Sequence, residues 1–158
     1  QLETLHLSDT GLTTVEGIGK AQTLKVLHLT DNDLEGSMPN AIFQLSNLKE
    51  LYINYNRLSG RIPNSISSLS NLEQLYLFNN RISGQIPAAI GSMKKLKVLA
   101  LTENYLSGTL PQELDLLTNL ELLAIQRERG KSGANPIDNT QSQTVGTGIR
   151  GPLLPFKG

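Results

Sequence analysis

Apolar residues recur along this chain in a fixed frame. Four consecutive blocks of 24 residues share the string L-x-x-L-x-[LI]-x-x-N-x-[LI]-x-G-x-[MIL]-P. The blocks open at Leu24, Leu48, Leu72 and Leu96, a further one begins at Leu120, and Leu2 precedes Leu24 by 22 residues. Inside each block one pair of apolar residues brackets a single position: Leu27/Leu29, Leu51/Ile53, Leu75/Leu77 and Leu99/Leu101. That period of two is the signature of a strand buried on one face. Every copy runs the same way with a long return path, so the strands are predicted to stack as a parallel sheet. The other apolar columns complete an interior from the return side: Leu34/Leu58/Ile82/Leu106, Met38/Ile62/Ile86/Leu110, Ile42/Ile66/Ile90/Leu114 and Leu45/Leu69/Met93/Leu117.

Three polar or special columns punctuate the frame. Asn32, Asn56, Asn80 and Asn104 follow the strands, with Thr10 in the first block. A short amide there can bond backbone groups and hold the turn, and stacked copies can form a ladder. Gly36, Gly60, Gly84 and Gly108 allow backbone geometry that a β-carbon obstructs. Pro39, Pro63, Pro87 and Pro111, fixed in φ and lacking an N–H, suit an edge segment rather than a helix interior. Self-similarity of this length and leucine spacing marks a leucine-rich-repeat solenoid. The predicted fold is therefore an α/β repeat: a right-handed solenoid with a parallel sheet on its concave face and short 3-10 or irregular return segments. No single coil buries enough to stand alone, so neighbours must stabilise one another.

The segments Leu58-Ser59-Gly60-Arg61-Ile62-Pro63 and Ile82-Ser83-Gly84-Gln85-Ile86-Pro87 resemble the plant-type leucine-rich repeat, defined by L-x-G-x-I-P. The resemblance covers residues 1 to 126 well. The first block, Gly11 to Ile18, is two residues shorter and lacks the proline, and so looks more like the 22-residue class. The last block starts normally at Leu120 but then carries residues 127–148, rich in Gly, Ser, Thr, Asn and Gln. That composition cannot bury a core and reads as an inserted loop. Ile149 to Pro155 then resembles a delayed L-x-G-x-L-P. The expectation is one array of about six repeats, 2–23, 24–47, 48–71, 72–95, 96–119 and 120–158, without terminal caps and forming a segment of a longer protein.

The plant-type resemblance implies a non-catalytic recognition scaffold for a protein or peptide ligand, within a receptor-like protein, a receptor-like kinase or a secreted inhibitor. It also implies an extracellular or cell-surface setting. Such ectodomains carry paired cysteines at their caps, whereas this chain has no cysteine. It also has no N-x-[ST] sequon, since Asn64 is followed by Ser65-Ile66 and Asn139 by Thr140-Gln141.

Charge and chemistry narrow the field. Fourteen basic and fourteen acidic residues balance to a net charge of zero, which favours neither nucleic acid nor an anionic membrane as partner. No apolar stretch approaches the ~20 residues needed to span a bilayer. A nucleophile needs a base and a pocket, and the chain offers two histidines, His6 and His28. They occupy equivalent strand positions, with Asp9 and Asp31 at matching offsets. Two imidazoles fall short of the three or four ligands that a metal site wants. Neither catalysis, a metal nor a cofactor is expected.

Recognition is expected on the sheet face that the return path leaves uncovered. Its outward columns read Thr4/Val26/Glu50/Gln74/Val98/Leu122, His6/His28/Tyr52/Tyr76/Ala100/Ala124 and Ser8/Thr30/Asn54/Phe78/Thr102/Gln126. Four tyrosines and three phenylalanines are all the aromatics of the chain. Tyr52, Tyr76 and Phe78 cluster here beside His28. Aromatics supply contact area with a polar handle. The candidate contact residues are His28, Glu50, Tyr52, Asn54, Gln74, Tyr76, Phe78, Val98, Ala100, Thr102 and Gln126. The bland reading is that the rings only pack on one another across strands. The rival function is a structural block of a larger assembly, contacting through its edges, its convex side or the 127–148 loop. Ice or mineral binding would need a continuous threonine column, and none runs through the coils.

Overall fold

The computed structural model describes residues 1–125. Gln126, residues 127–148, expected as an inserted loop, and residues 149–155, expected as a delayed motif, lie outside the described residues.

The two-residue alternation produces six strands: β1 (Thr4–His6), β2 (Val26–His28), β4 (Glu50–Tyr52), β6 (Gln74–Tyr76), β8 (Val98–Ala100) and β10 (Leu122–Ala124). They form one parallel sheet in the order β1-β2-β4-β6-β8-β10. The register runs straight across the coils, Thr4 to Val26 to Glu50 to Gln74 to Val98 to Leu122. Five 3-10 turns line the opposite face: Glu16–Lys20, Asn40–Gln44, Asn64–Ser68, Ala88–Ser92 and Gln112–Leu116. Between them lies the apolar core, with Leu27, Leu51, Leu75 and Leu99 all at 0% exposure. The first coil is less closed: Leu5, Leu7, Leu12 and Ile18 are only partly buried against that core.

A second sheet was not foreseen. The L-x-G segments form β3 (Glu35–Gly36), β5 (Arg57–Gly60), β7 (Arg81–Gly84) and β9 (Tyr105–Leu106), parallel and in that order. Backbone bonds such as Arg57 N–H to Leu34 O at 2.8 Å join them. Among the described residues the strands of this sheet begin in the second coil, and one equivalent backbone bond, Asp33 N–H to Leu12 O at 2.9 Å, reaches the shorter first block. Gly60 and Gly84, with φ of 75° and 76°, bend the chain out of this sheet through the left-handed region that glycine enters without steric cost. Each proline then stands just before a 3-10 turn in extended geometry. Pro63, for example, has φ −79° and ψ 156°, and its carbonyl accepts the Ile66 N–H at 3.0 Å.

The asparagine ladder forms as expected and is buried. Asn80 donates through Nδ2 to Ile53 O and Leu77 O, both at 3.0 Å, and its Oδ1 accepts Leu58 N–H at 3.0 Å. Asn56 and Asn104 repeat the pattern. Thr10 takes part more weakly, with its hydroxyl on Leu7 O and its N–H on Asn32 Oδ1. A second ladder went unpredicted: Asn47, Asn71 and Asn119 each donate to a carbonyl of the preceding coil, Gln22, Ser46 and Lys94.

Coil spacing is tightest between the last two 3-10 turns. A β-carbon at Gly91 would lie 2.6 Å from both Cβ and the backbone oxygen of Glu113. Backbone cannot yield as a side-chain tip does. Gly91→Ala is therefore expected to lower stability by about 1–3 kcal/mol through overpacking, whereas Gly60→Ala, with nothing within 4 Å, acts through its positive φ alone. Urea denaturation of the two variants checks this.

Candidate recognition surface

Parallel register places one residue type above the next, and on the uncovered sheet face that builds a row of rings. His6 and His28 stack at 4.2 Å, His28 and Tyr52 at 4.0 Å, and Tyr52 and Tyr76 at 4.6 Å, with interplanar angles of 18°, 9° and 8°. Phe78 meets Tyr76 edge-on at 6.4 Å. His28, Tyr52, Tyr76 and Phe78 are partly buried by one another, as the bland reading requires, while His6 at the end of the row is exposed and the row forms the middle of the open face. Both accounts share the same geometry, and the stacking adds to sheet stability.

The neighbouring column fixes the tyrosine tips. Tyr52 donates its hydroxyl to Glu50 Oε2 at 3.0 Å, with Gln74 Oε1 at 3.3 Å, and Tyr76 donates to Gln74 Oε1 at 3.1 Å. Burial, then the hydrogen bond and charge of Glu50, push the Tyr52 phenol far up. Burial, then the Glu50 charge, push Tyr76 up as well. Both phenols stay neutral donors.

Two candidate residues do not belong to the accessible surface. Asn54 is 5% exposed and receives the Thr30 hydroxyl on its Oδ1 at 3.1 Å, so its amide is used within the sheet. Ala100 is 0% exposed, its methyl standing too low beside Tyr76 to reach solvent. Val98, Thr102, Glu50, Gln74, Tyr52, Tyr76, Phe78 and His28 remain partly exposed on this face. Gln126 lies outside the described residues.

Tyr55 was missed. Its ring is 45% exposed and meets Phe78 edge-on at 5.3 Å, carrying the aromatic surface from the sheet to the rim. It holds φ at 53°, in the left-handed region that Asp9, Asp31, Asn79 and Glu103 share at equivalent places. Such a conformation is uncommon for a bulky side chain. The available signal was an aromatic residue in a column otherwise filled by Asp, Asn and Glu.

The rims carry charge pairs. Lys25 bonds Glu3, Lys97 bonds Glu73 and Arg57 bonds Asp33, each at 2.7 Å. They are exposed and contribute little individually. Among the described residues, no group of three or more His, Cys, Asp or Glu is placed to hold a metal ion. No helix there is long and apolar enough to cross a membrane.

A family model described as a leucine-rich repeat region matches residues 1–144. The chain belongs to the leucine-rich-repeat family. Among solved structures it is similar to the ectodomain of the Arabidopsis thaliana membrane receptor kinase GASSHO1/SCHENGEN3, crystallised with CASPARIAN STRIP INTEGRITY FACTOR 2. That match has 37% identity and a TM-score of 0.75, and covers 80% of this chain and 16% of that one. It is similar also to the ectodomain of the Arabidopsis receptor kinase HAESA in complex with an IDA peptide hormone ligand (32% identity, TM-score 0.71, covering 78% of this chain and 21% of that one). The Leptospira interrogans protein LIC12759 matches at 32% identity and TM-score 0.71, covering 90% of this chain and 34% of that one. The chain thus spans 16% to 21% of the length of these two plant receptor ectodomains. No curated protein matches it significantly. Family and neighbours agree on a plant-type leucine-rich-repeat segment.

In this leucine-rich-repeat array the ring row gives a pH dependence. Burial, then the proximity of His6, hold the His28 imidazole below its ordinary 6.5, against the opposing pull of Glu50. The unfolded chain then binds a proton that the folded array resists. Stability attributable to His28 is complete above pH 6.5 and falls as the pH drops from there toward the depressed folded value. Urea midpoints measured from pH 7.5 down to 5 should decline, and His28→Gln should flatten that decline.

Proposed function

We propose that this array is a non-catalytic recognition module that binds a protein or peptide on its concave sheet, within a receptor-like or secreted protein at the cell surface. The observation that carries the reading is the ring row from His28 through Tyr52 and Tyr76 to Phe78, continued by Tyr55, on the face that the return segments leave open. Aromatic side chains of this kind supply large contact area at small cost in side-chain entropy. The HAESA and GASSHO1/SCHENGEN3 ectodomains, similar in fold and sequence, were each solved with a bound partner. By the same likeness, the setting is extracellular.

The test is affinity capture from the native source with the protein and with a Tyr52/Tyr76/Phe78 triple alanine version, read by mass spectrometry. A partner captured by the first and lost by the second supports the reading. A partner held equally by both transfers recognition to the edges, the convex side or the 127–148 segment.

A further inference from the structure

The concave sheet carries one carboxylate that has no ion pair among the described residues. Of all outward residues on the six strands, Glu50 alone bears a formal charge when the histidines are neutral. On the rims three acids are paired: Glu3 with Lys25, Asp33 with Arg57, and Glu73 with Lys97 and Lys49. Among the described residues no ion pair includes Glu50. It is half-buried between Val26 and Gln74 in the register. Its Oε2 accepts the Tyr52 hydroxyl at 3.0 Å, which restrains the carboxylate beside the ring row. The field of Glu50 reaches Tyr52 and Tyr76, adding to the effect of burial on both phenols.

An ionised carboxylate accepts through both oxygens, and one hydrogen bond from Tyr52 leaves Glu50 with capacity for a cation's N–H groups. We infer that Glu50 is the anchor for a basic side chain of the partner, an arginine by geometry, so that the concave face selects a peptide segment presenting a guanidinium. A planar guanidinium matches a fixed carboxylate through two parallel N–H bonds, and bonds between charged partners are the stronger kind. Gln74 Oε1, beside it, receives the tyrosine hydroxyls and so keeps both rings in place next to the carboxylate. Val26, next to Glu50 in the register, walls the position with apolar surface, where a charge pair is screened less than on the rims. This inference rests on the concave-face reading and names the chemistry of its ligand.

The experiment selects random-sequence displayed peptides on the immobilised protein and compares binding to Glu50→Gln and to Tyr52→Ala/Tyr76→Ala. Glutamine keeps an acceptor for the Tyr52 hydroxyl, so its melting temperature should match the parent and the charge alone is removed. Enriched peptides are expected to contain arginine, and to bind about tenfold or more weakly to Glu50→Gln, or when that arginine is replaced by uncharged citrulline. An enriched set without arginine above the input level, or binding indifferent to Glu50→Gln, overturns the inference. If such peptides still lose affinity for the tyrosine variant, the concave reading stands and only the cation assignment fails. If neither variant matters, both fail.

Discussion

Alanine in place of Asn80 is expected to lower the unfolding free energy by about 3–5 kcal/mol, a large share of the ~5–15 kcal/mol that holds a typical domain together. The side chain is 6% exposed and serves three backbone groups from two successive coils. Removing it leaves the Leu58 N–H without its acceptor in the interior, while Ile53 O loses one of two donors and keeps Asn56 Nδ2, and Leu77 O keeps Asn104 Nδ2. One unsatisfied buried donor costs about 1–3 kcal/mol, and each of the two lost carbonyl bonds adds about 0.5–1.5 kcal/mol, all within one buried network. Because coils depend on neighbours, the loss propagates along the array. Asn80→Thr should fall between parent and alanine, since Thr10 fills the equivalent place in the first coil and still bonds Leu7 O. Chemical denaturation of the three proteins measures both effects. A loss under 1 kcal/mol for the alanine variant would mean that water replaces the amide and the ladder is dispensable.

The second large effect concerns binding. Tyr52→Ala with Tyr76→Ala is expected to weaken the partner by about 2 kcal/mol or more, roughly thirtyfold, while the circular-dichroism spectrum keeps its native form. The two rings stack on each other and on His28, so some stability goes with them, about 0.5–1.5 kcal/mol per aromatic pair. The solenoid survives because its core lies on the other side of the strands, where Leu51 and Leu75 are fully buried. Stability and affinity are thus separable. Unchanged affinity in a folded double variant would reduce the ring row to sheet packing and remove the concave face from the account.

The repeat made much of this molecule legible. A period of 24 residues forces equivalent positions into register, so the strand pairs, the buried leucine columns and the asparagine ladder follow from spacing alone. The side-by-side placement of His28, Tyr52 and Tyr76 follows for the same reason. What spacing could not supply was backbone pairing that depends on local conformation. The L-x-G segments carry too few residues to show a strand period, yet they pair as a second sheet. The second ladder at Asn47, Asn71 and Asn119 was hidden because Thr23 and Lys95 interrupt its column. Within the candidate site, side-chain height decided the rest. Facing outward does not expose a methyl such as Ala100 or an amide already bonded, such as Asn54. Tyr55 escaped because its place lies past the strand, where a turn residue is expected and only the left-handed backbone aims the ring back at Phe78.

The concave face is tested most directly by photo-crosslinking. A photoreactive benzoylphenylalanine would be placed in turn at Gln74 and Val98, on the sheet, and at Asn64 and Gln112, on the 3-10 side, and irradiated with the partner bound. The account predicts crosslinks from Gln74 and Val98 and none from Asn64 or Gln112. Crosslinks confined to Asn64 and Gln112 would contradict it and move recognition to the convex side.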